Sequence, residues 1–208
     1  MNSEKIYSIL QAHLPIPSLE YCFKLWHETP FQLKITRTRQ TKVGDFTSKR
    51  SIAHPRITLN HELNPFLFLI TYIHEVAHLR VHLQYGTRVD PHGEEWKISF
   101  RQLMQPILDQ KVFPDNIFNE LERHMGNPKA SSFADSELTK VLRSYDKNAG
   151  QYATLSEIPE GSLFHFQGRY FKKGKIRRTR VLCHEVKTKR HYLVPADVLV
   201  SSVQLSLL

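Results

Sequence analysis

The chain is short of cysteine, of acidic charge and of long apolar runs, and each shortage excludes something. It has only two cysteines in 208 residues, Cys22 and Cys183. Two thiols so far apart make neither a disulfide framework nor a four-cysteine zinc site, and they fit a reducing compartment. The longest strongly apolar run, residues 65–73, is far too short to cross a bilayer, which takes about 20 residues. Met1 to Lys5 are polar and charged with no long apolar stretch behind them, so no secretory signal is visible. The expected compartment is the cytoplasm, with no membrane partner. Acidic residues are outnumbered: 29 Lys and Arg face 20 Asp and Glu, a net charge of +9 that favours polyanionic partners. The 40% hydrophobic content is enough for a core, and the length gives room for one full domain and a smaller one.

What is present is organised around residues 64–79. Asn64 can cap a helix, and Pro65 suits the first helical position, where its missing N–H is not needed. No Gly or Pro follows until Gly86, so the pattern predicts a helix from Pro65 to Tyr85. Near its middle stands His74-Glu75-Val76-Ala77-His78. Residues four apart lie one turn up the same face, so both imidazoles can reach one ion. Glu75 points about 100° round the helix, too close in sequence to be an easy third ligand but well placed to take a proton from water. This is the signature of a zinc hydrolase with Glu as general base. At this chain's His and Glu frequencies the motif arises by accident about 0.04 times, so a third ligand has to decide the matter. The competing reading is a buried helix whose two His and one Glu are hydrogen-bonded inside.

A catalytic zinc takes three protein ligands and keeps one position for water. Downstream, Pro91 and Gly93 flank His92 in a turn, and a new helix follows with acidic residues in its first turn. Trp96, Phe100 and Leu103 recur at helical spacing before Pro106 stops that helix. A helix, a short reversal and a second helix would carry His92 back to the first, so His92 is the expected third ligand. His82 continues the His74–His78 stripe but lies about 12 Å along the axis from His74, too far to share the ion; it would line the end of the cleft or face solvent. His54 and His61 flank a strand and are expected at the surface. Glu94 and Glu95 serve either as helix N-terminal charge or as hydrogen-bond partners of a ligand His.

The stretch His74-Glu75-Val76-Ala77-His78, followed after thirteen residues by His92-Gly93-Glu94-Glu95-Trp96, resembles the SprT-like (Spartan-type) zinc metalloproteases. Upstream, Thr36-Arg37-Thr38-Arg39, Lys42-Val43-Gly44-Asp45-Phe46 and Arg56-Ile57-Thr58-Leu59-Asn60 are similar to the strands that precede the metal helix in that family, so the resemblance covers roughly residues 5–110. It implies Zn2+ on His74, His78 and His92, Glu75 as base, protein as substrate, and an association with DNA, from which family members remove bound or crosslinked proteins. Many members carry a Cys-rich zinc ribbon after the protease domain, which this chain cannot. The alternative is a non-catalytic, zinc-containing nucleic-acid-binding protein. The oligomeric state is not legible.

The remaining pattern gives short helices at 4–13 and 18–28, with Ser18 as cap of the second, and strands at 31–36, 42–47 and 56–60. Further helices fall at 114–122 and 135–144. Beyond Gly150, five short β-type runs suggest a small antiparallel barrel or sandwich. The fold class expected is therefore α+β: a zincin-like helical metalloprotease domain with a small three-stranded sheet at 1–125, a linker and short helix at 126–150, and a small all-β C-terminal module at 151–208. That module holds ten Lys and Arg against four Asp and Glu. Lys172, Lys173, Lys175, Arg177, Arg178 and Arg180 cluster there beside Tyr170 and Phe171, a mixture suited to phosphate contact and base stacking. The plainer reading is a solvated hairpin whose lysines guard an edge.

Overall fold

The structure is a computed structural model that describes residues 2–37, 43–48, 54–129, 135–147, 152–166, 168–196 and 198–202. The chain is of mixed helix and sheet, divided into two compact units, Met1–Tyr145 and Asp146–Leu208.

The first unit is laid down around one central helix. Two short helices open the chain, α1 (Ser3–His13) and α2 (Leu19–Glu28). Asn2 caps α1 by accepting the N–H of Glu4 at 3.1 Å. Ser18 does not cap α2 as expected; its hydroxyl instead donates to the Pro15 carbonyl at 2.8 Å, closing the turn that Pro15 and Pro17 impose. Three strands follow, β1 (Gln32–Thr36), β2 (Gly44–Thr47) and β3 (Arg56–Asn60), in the order β1-β3-β2. The middle strand β3 runs parallel to β1 and antiparallel to β2, pairing Leu33 with Ile57, Ile35 with Leu59 and Phe46 with Ile57. Thr38, Arg39 and Lys42 of the upstream pattern lie outside the described residues.

Helix α3 spans Pro65–Tyr85, the limits its breakers predict. The Asn64 side chain accepts the N–H of Leu67 at 3.0 Å, and Gly86 ends the helix at φ 66°, a left-handed value that glycine adopts without strain. Its Leu67–Ile73 segment is buried on every side, including Phe68 and Tyr72, which marks a helix surrounded by protein. Each such large apolar side chain contributes about 1.5–3 kcal/mol by leaving water. The Tyr72 hydroxyl, buried with it, donates to the Cys22 carbonyl at 2.9 Å and so ties α3 to α2. Helix α4 (Glu94–Met104) packs along α3 through Trp96, Phe100 and Leu103, and is followed by a single 3-10 turn at Gln105–Ile107.

Helices α5 (Asp115–Met125) and α6 (Ser136–Arg143) close this unit. Asp135 caps α6, and Leu138 and Leu142 enter the same core as α3. Asn64, buried at the start of α3, also donates to the Leu142 carbonyl at 2.9 Å. The first unit thus runs to Tyr145 rather than ending at 125, because α6 buries an apolar face that a linker would leave in water. Residues 130–134 and 148–150 of the expected linker, and 151 of the expected module, lie outside the described residues.

The second unit carries a six-stranded antiparallel sheet in the order β4-β9-β5-β6-β7-β8. Its strands are β4 (Tyr152–Thr154), β5 (Leu163–Phe166), β6 (Arg169–Arg177), β7 (Arg180–Glu185), β8 (His191–Pro195) and β9 (Leu199–Ser202). Five of these match the expected runs; β4, three residues long, shows no alternation to read. Phe164 and Phe171, paired across β5 and β6, stack at 5.6 Å in a small core with Leu155, Val181, Cys183 and Val200. Among the described residues no helix is long and apolar enough to cross a membrane.

Candidate metal centre

The i, i+4 spacing on α3 puts the rings of His74 and His78 side by side, and the turn 86–93 returns His92 to them. The three Nε2 atoms form a triangle: 3.1 Å from His78 to His74, 3.1 Å from His78 to His92 and 3.3 Å from His92 to His74. Among the described residues this is the one group of three or more His, Cys, Asp or Glu able to hold a metal ion.

The triangle is a poor hydrogen-bond arrangement and a good ligand set. A neutral imidazole has one donor and one acceptor nitrogen, so three Nε2 atoms converging on one point cannot all be satisfied by one another. Zinc nitrogens about 2.0–2.1 Å from a tetrahedral ion stand about 3.3 Å apart, close to the spacing seen here. The lack of protonation also favours ligation. Burial pushes the His74 imidazole well below its ordinary value, helped by repulsion from His78 and His92. Burial and then His92 push His78 down to about 4, against a small opposing pull from Asp45. Burial lowers His92 as well. All three are therefore neutral near pH 7, each with a lone pair to give.

Glu75, one residue on from His74, is 6% exposed and turns towards the edge strand β2. A Cβ placed on Gly44 would fall 2.7 Å from Glu75 Oε1 and 2.5 Å from the Thr71 methyl. Only a residue without a side chain lets β2 pass this close to the carboxylate. The Thr71 hydroxyl donates to the Leu67 carbonyl at 2.7 Å, which fixes the direction of that methyl. A glycine inside a strand pattern is the sequence signal for such an approach, and it identifies Gly44 as part of the site.

The other sequence candidates are placed as follows. His82 stays out of the triad and packs its ring on Phe46 of β2 at 5.6 Å. His54 and His61 are exposed. Glu94 is exposed and pairs with Lys97 at 2.8 Å, the ordinary use of an acidic residue in a first helical turn. In the second unit Lys172, Lys175, Arg177, Arg178 and Arg180 are exposed on the β6–β7 hairpin. Lys173 is not part of that surface. It is 4% exposed, and its ammonium donates to the carbonyls of Ser156 and Ile158. The period-2 alternation explains it: Phe171 and Lys173 share the inner face, Tyr170 and Lys172 the outer. For the same reason Phe171 is unavailable for stacking, whereas Tyr170 is exposed beside His165 at 5.2 Å.

A domain of mixed helix and sheet with three histidines gathered on its central helix and the following turn defines a class, that of domains with a three-histidine cluster able to hold a metal ion. Residues 19–117, just under half of the chain, match the model of the SprT-like family, and they lie within the first unit. It is similar to Protein SprT of Pseudomonas fluorescens strain Pf0-1, 32% identical over 88 residues that cover 40% of this chain and 54% of the relative. It is also similar to Protein SprT of Pseudomonas aeruginosa strain LESB58, 55% identical over 31 residues, 15% of this chain and 19% of the relative. The chain thus spans about half the length of the first of these. No solved structure matches it significantly.

Proposed function

We propose that this chain is a zinc-dependent endopeptidase of zincin type, with His74, His78 and His92 as ligands and Glu75 as general base. The observation that carries the reading is the convergence of three neutral Nε2 atoms beside a buried carboxylate on the adjacent residue. A zinc ion held there supplies an acidified water and polarises a carbonyl. Glu75 accepts the proton from that water and passes it to the leaving amine, so the carboxylate must start ionised and return to that state each turnover. Strand β2 pairs only with β3 among the described residues, and its other edge suits an extended peptide backbone added to the sheet.

The substrate class we propose is protein bound or crosslinked to DNA, processed in the cytoplasm. Support for the polyanion comes from the β6–β7 hairpin, where Arg177 and Arg180 stand directly opposite each other in register. Like charges in that position destabilise a sheet, and a phosphate backbone would relieve the repulsion. A second reading, a zinc-containing nucleic-acid-binding protein without catalysis, is favoured by that hairpin alone. The buried Glu75 weighs against it, since a purely structural site has no use for a base and is closed by a fourth ligand.

The deciding experiment is proteolysis of a DNA-bound protein by the full chain, with and without DNA and a chelator, alongside metal analysis. The expected outcome is metal-dependent cleavage that Glu75→Gln abolishes while it keeps the metal. Full activity in that variant ends the general-base assignment. Cleavage indifferent to DNA removes the substrate class but leaves the peptidase.

A further inference from the structure

One aromatic ring touches the whole triad. Trp96 is fully buried in the first turn of α4, and its ring centroid lies 4.6 Å from that of His74, 4.9 Å from His92 and 5.5 Å from His78. No other non-histidine ring among the described residues contacts all three. Phe100, one helical turn on, backs the indole in a stack at 5.0 Å with 12° between planes. The indole Nε1–H reaches the main-chain carbonyl of His74 at 3.4 Å, a long contact that registers the ring against the ligand helix itself.

The placement follows from the sequence. His92 lies in the turn, Gly93 stands at the N-cap and Trp96 falls in the first helical turn, so a single segment delivers both the third ligand and the plate behind it. Ligand imidazoles are usually oriented by a hydrogen bond from the second ring nitrogen to a carboxylate or carbonyl. Here all three rings share one aromatic contact instead: His78 is tilted 31° to the indole plane, His74 58° and His92 76°. Three different tilts about one flat surface are what pointing three lone pairs at a common centre demands.

We propose that Trp96 is the positioning residue of the metal centre, holding the three imidazole planes in their ligating orientation before an ion arrives. Its value is preorganisation: an ion that finds its ligands already aimed does not spend binding energy on freezing three rings. The proposal rests on the metal reading of the triad and not on peptide hydrolysis.

The test uses the full chain stripped of metal, with Zn2+ affinity measured by competition against a chromophoric chelator and Co2+ uptake followed by its visible absorption. Trp96→Phe keeps a flat ring on Phe100 and loses the Nε1 contact; Trp96→Leu loses both. Partners that orient metal ligands are worth about ten- to a hundredfold in affinity. The expected result is graded, about tenfold weaker for Trp96→Phe and about a hundredfold for Trp96→Leu, each with an altered Co2+ spectrum. Phe113→Leu is the control: it trims an equally buried ring whose aromatic neighbour is Phe66, and should lower the melting temperature without moving affinity or spectrum. If both Trp96 variants bind as the wild type with an unchanged spectrum, Trp96 is core packing and the proposal falls. A wild-type chain that takes up neither ion sinks the metal centre itself, and the proposal with it. Should Trp96→Leu not fold, Trp96→Phe alone still decides, by its loss or its wild-type affinity.

Discussion

Replacing Gly44 by alanine adds one methyl group and should separate stability from catalysis. Carbon atoms rest about 3.5–4.0 Å apart, and the new Cβ would stand 2.5 Å from the Thr71 methyl and 2.7 Å from Glu75 Oε1. The methyl cannot swing away cheaply, because the Thr71 hydroxyl is anchored to the Leu67 carbonyl. Relief therefore comes from Glu75, whose carboxylate moves by roughly 0.5–1 Å on these contact distances. Overpacking of this kind costs about 1–3 kcal/mol. Against it stands about 0.4–1 kcal/mol from the lower chain entropy of unfolded alanine. The net loss is about 0–2.6 kcal/mol by these two terms, read as a shifted urea midpoint. On the role proposed for Glu75, catalysis should suffer more, since displacing a reacting group by 1 Å costs on the order of a hundredfold. The assay is hydrolysis of an unfolded protein substrate with metal content measured on the same sample. The double variant Gly44→Ala with Thr71→Ser removes the clashing methyl and keeps the hydroxyl but leaves the close approach to Glu75, so it should recover part of the stability and not the rate. Wild-type hydrolysis in Gly44→Ala, with metal bound, would refute the reasoning.

Three further outcomes follow from contacts described above. Asn64→Ala removes the α3 cap and the bond to the Leu142 carbonyl together, and should cost about 1–3 kcal/mol in denaturant unfolding; a change within error would mean that α6 does not lean on α3. Lys173→Ala should lower the melting temperature of the second unit by leaving two carbonyls unpaired, yet leave the salt dependence of nucleic-acid binding alone, whereas Arg178→Ala should reduce the log–log salt slope by about 1. Burial, opposed by the hydrogen bond to Asp135, depresses the His124 imidazole in the folded chain. The folded state therefore binds fewer protons than the unfolded one, so the stability this neutral ring contributes is present above its unfolded value of about 6.5 and lost as pH falls through its lower folded value. His124→Gln, compared with wild type in the presence of a chelator, should flatten the fall in urea midpoint on acidification; identical slopes would remove His124 from the account.

The central helix was legible because its signals are local: a cap, a proline in the first turn, an unbroken run and a closing glycine. The return of His92 to His74 and His78 followed from the same local logic, as two helix boundaries bracket it. What was hidden is what depends on distant partners. Nothing in the sequence of 31–60 says that β1 pairs parallel with β3, since pairing is decided by what covers the sheet. Asn64 announces a cap but not its second bond, to a carbonyl 78 residues away. Lys173 was placed with its charged neighbours, although strict alternation from the inward Phe171 assigns it to the interior. Trp96 read as one more apolar position on α4, because periodicity tells which face is buried and never what is buried against it.

Each unit holds a single thiol, and both are shielded from solvent. Desolvation raises the Cys22 thiol far beyond its ordinary range and the Cys183 thiol to about 11, so neither ionises at neutral pH while its surroundings stay closed. An alkylating reagent will therefore mark position 22 only when the helical half opens and position 183 only when the strand half does. The molecule carries a private clock for each of its halves, readable by mass spectrometry of the labelled peptides without any engineered probe.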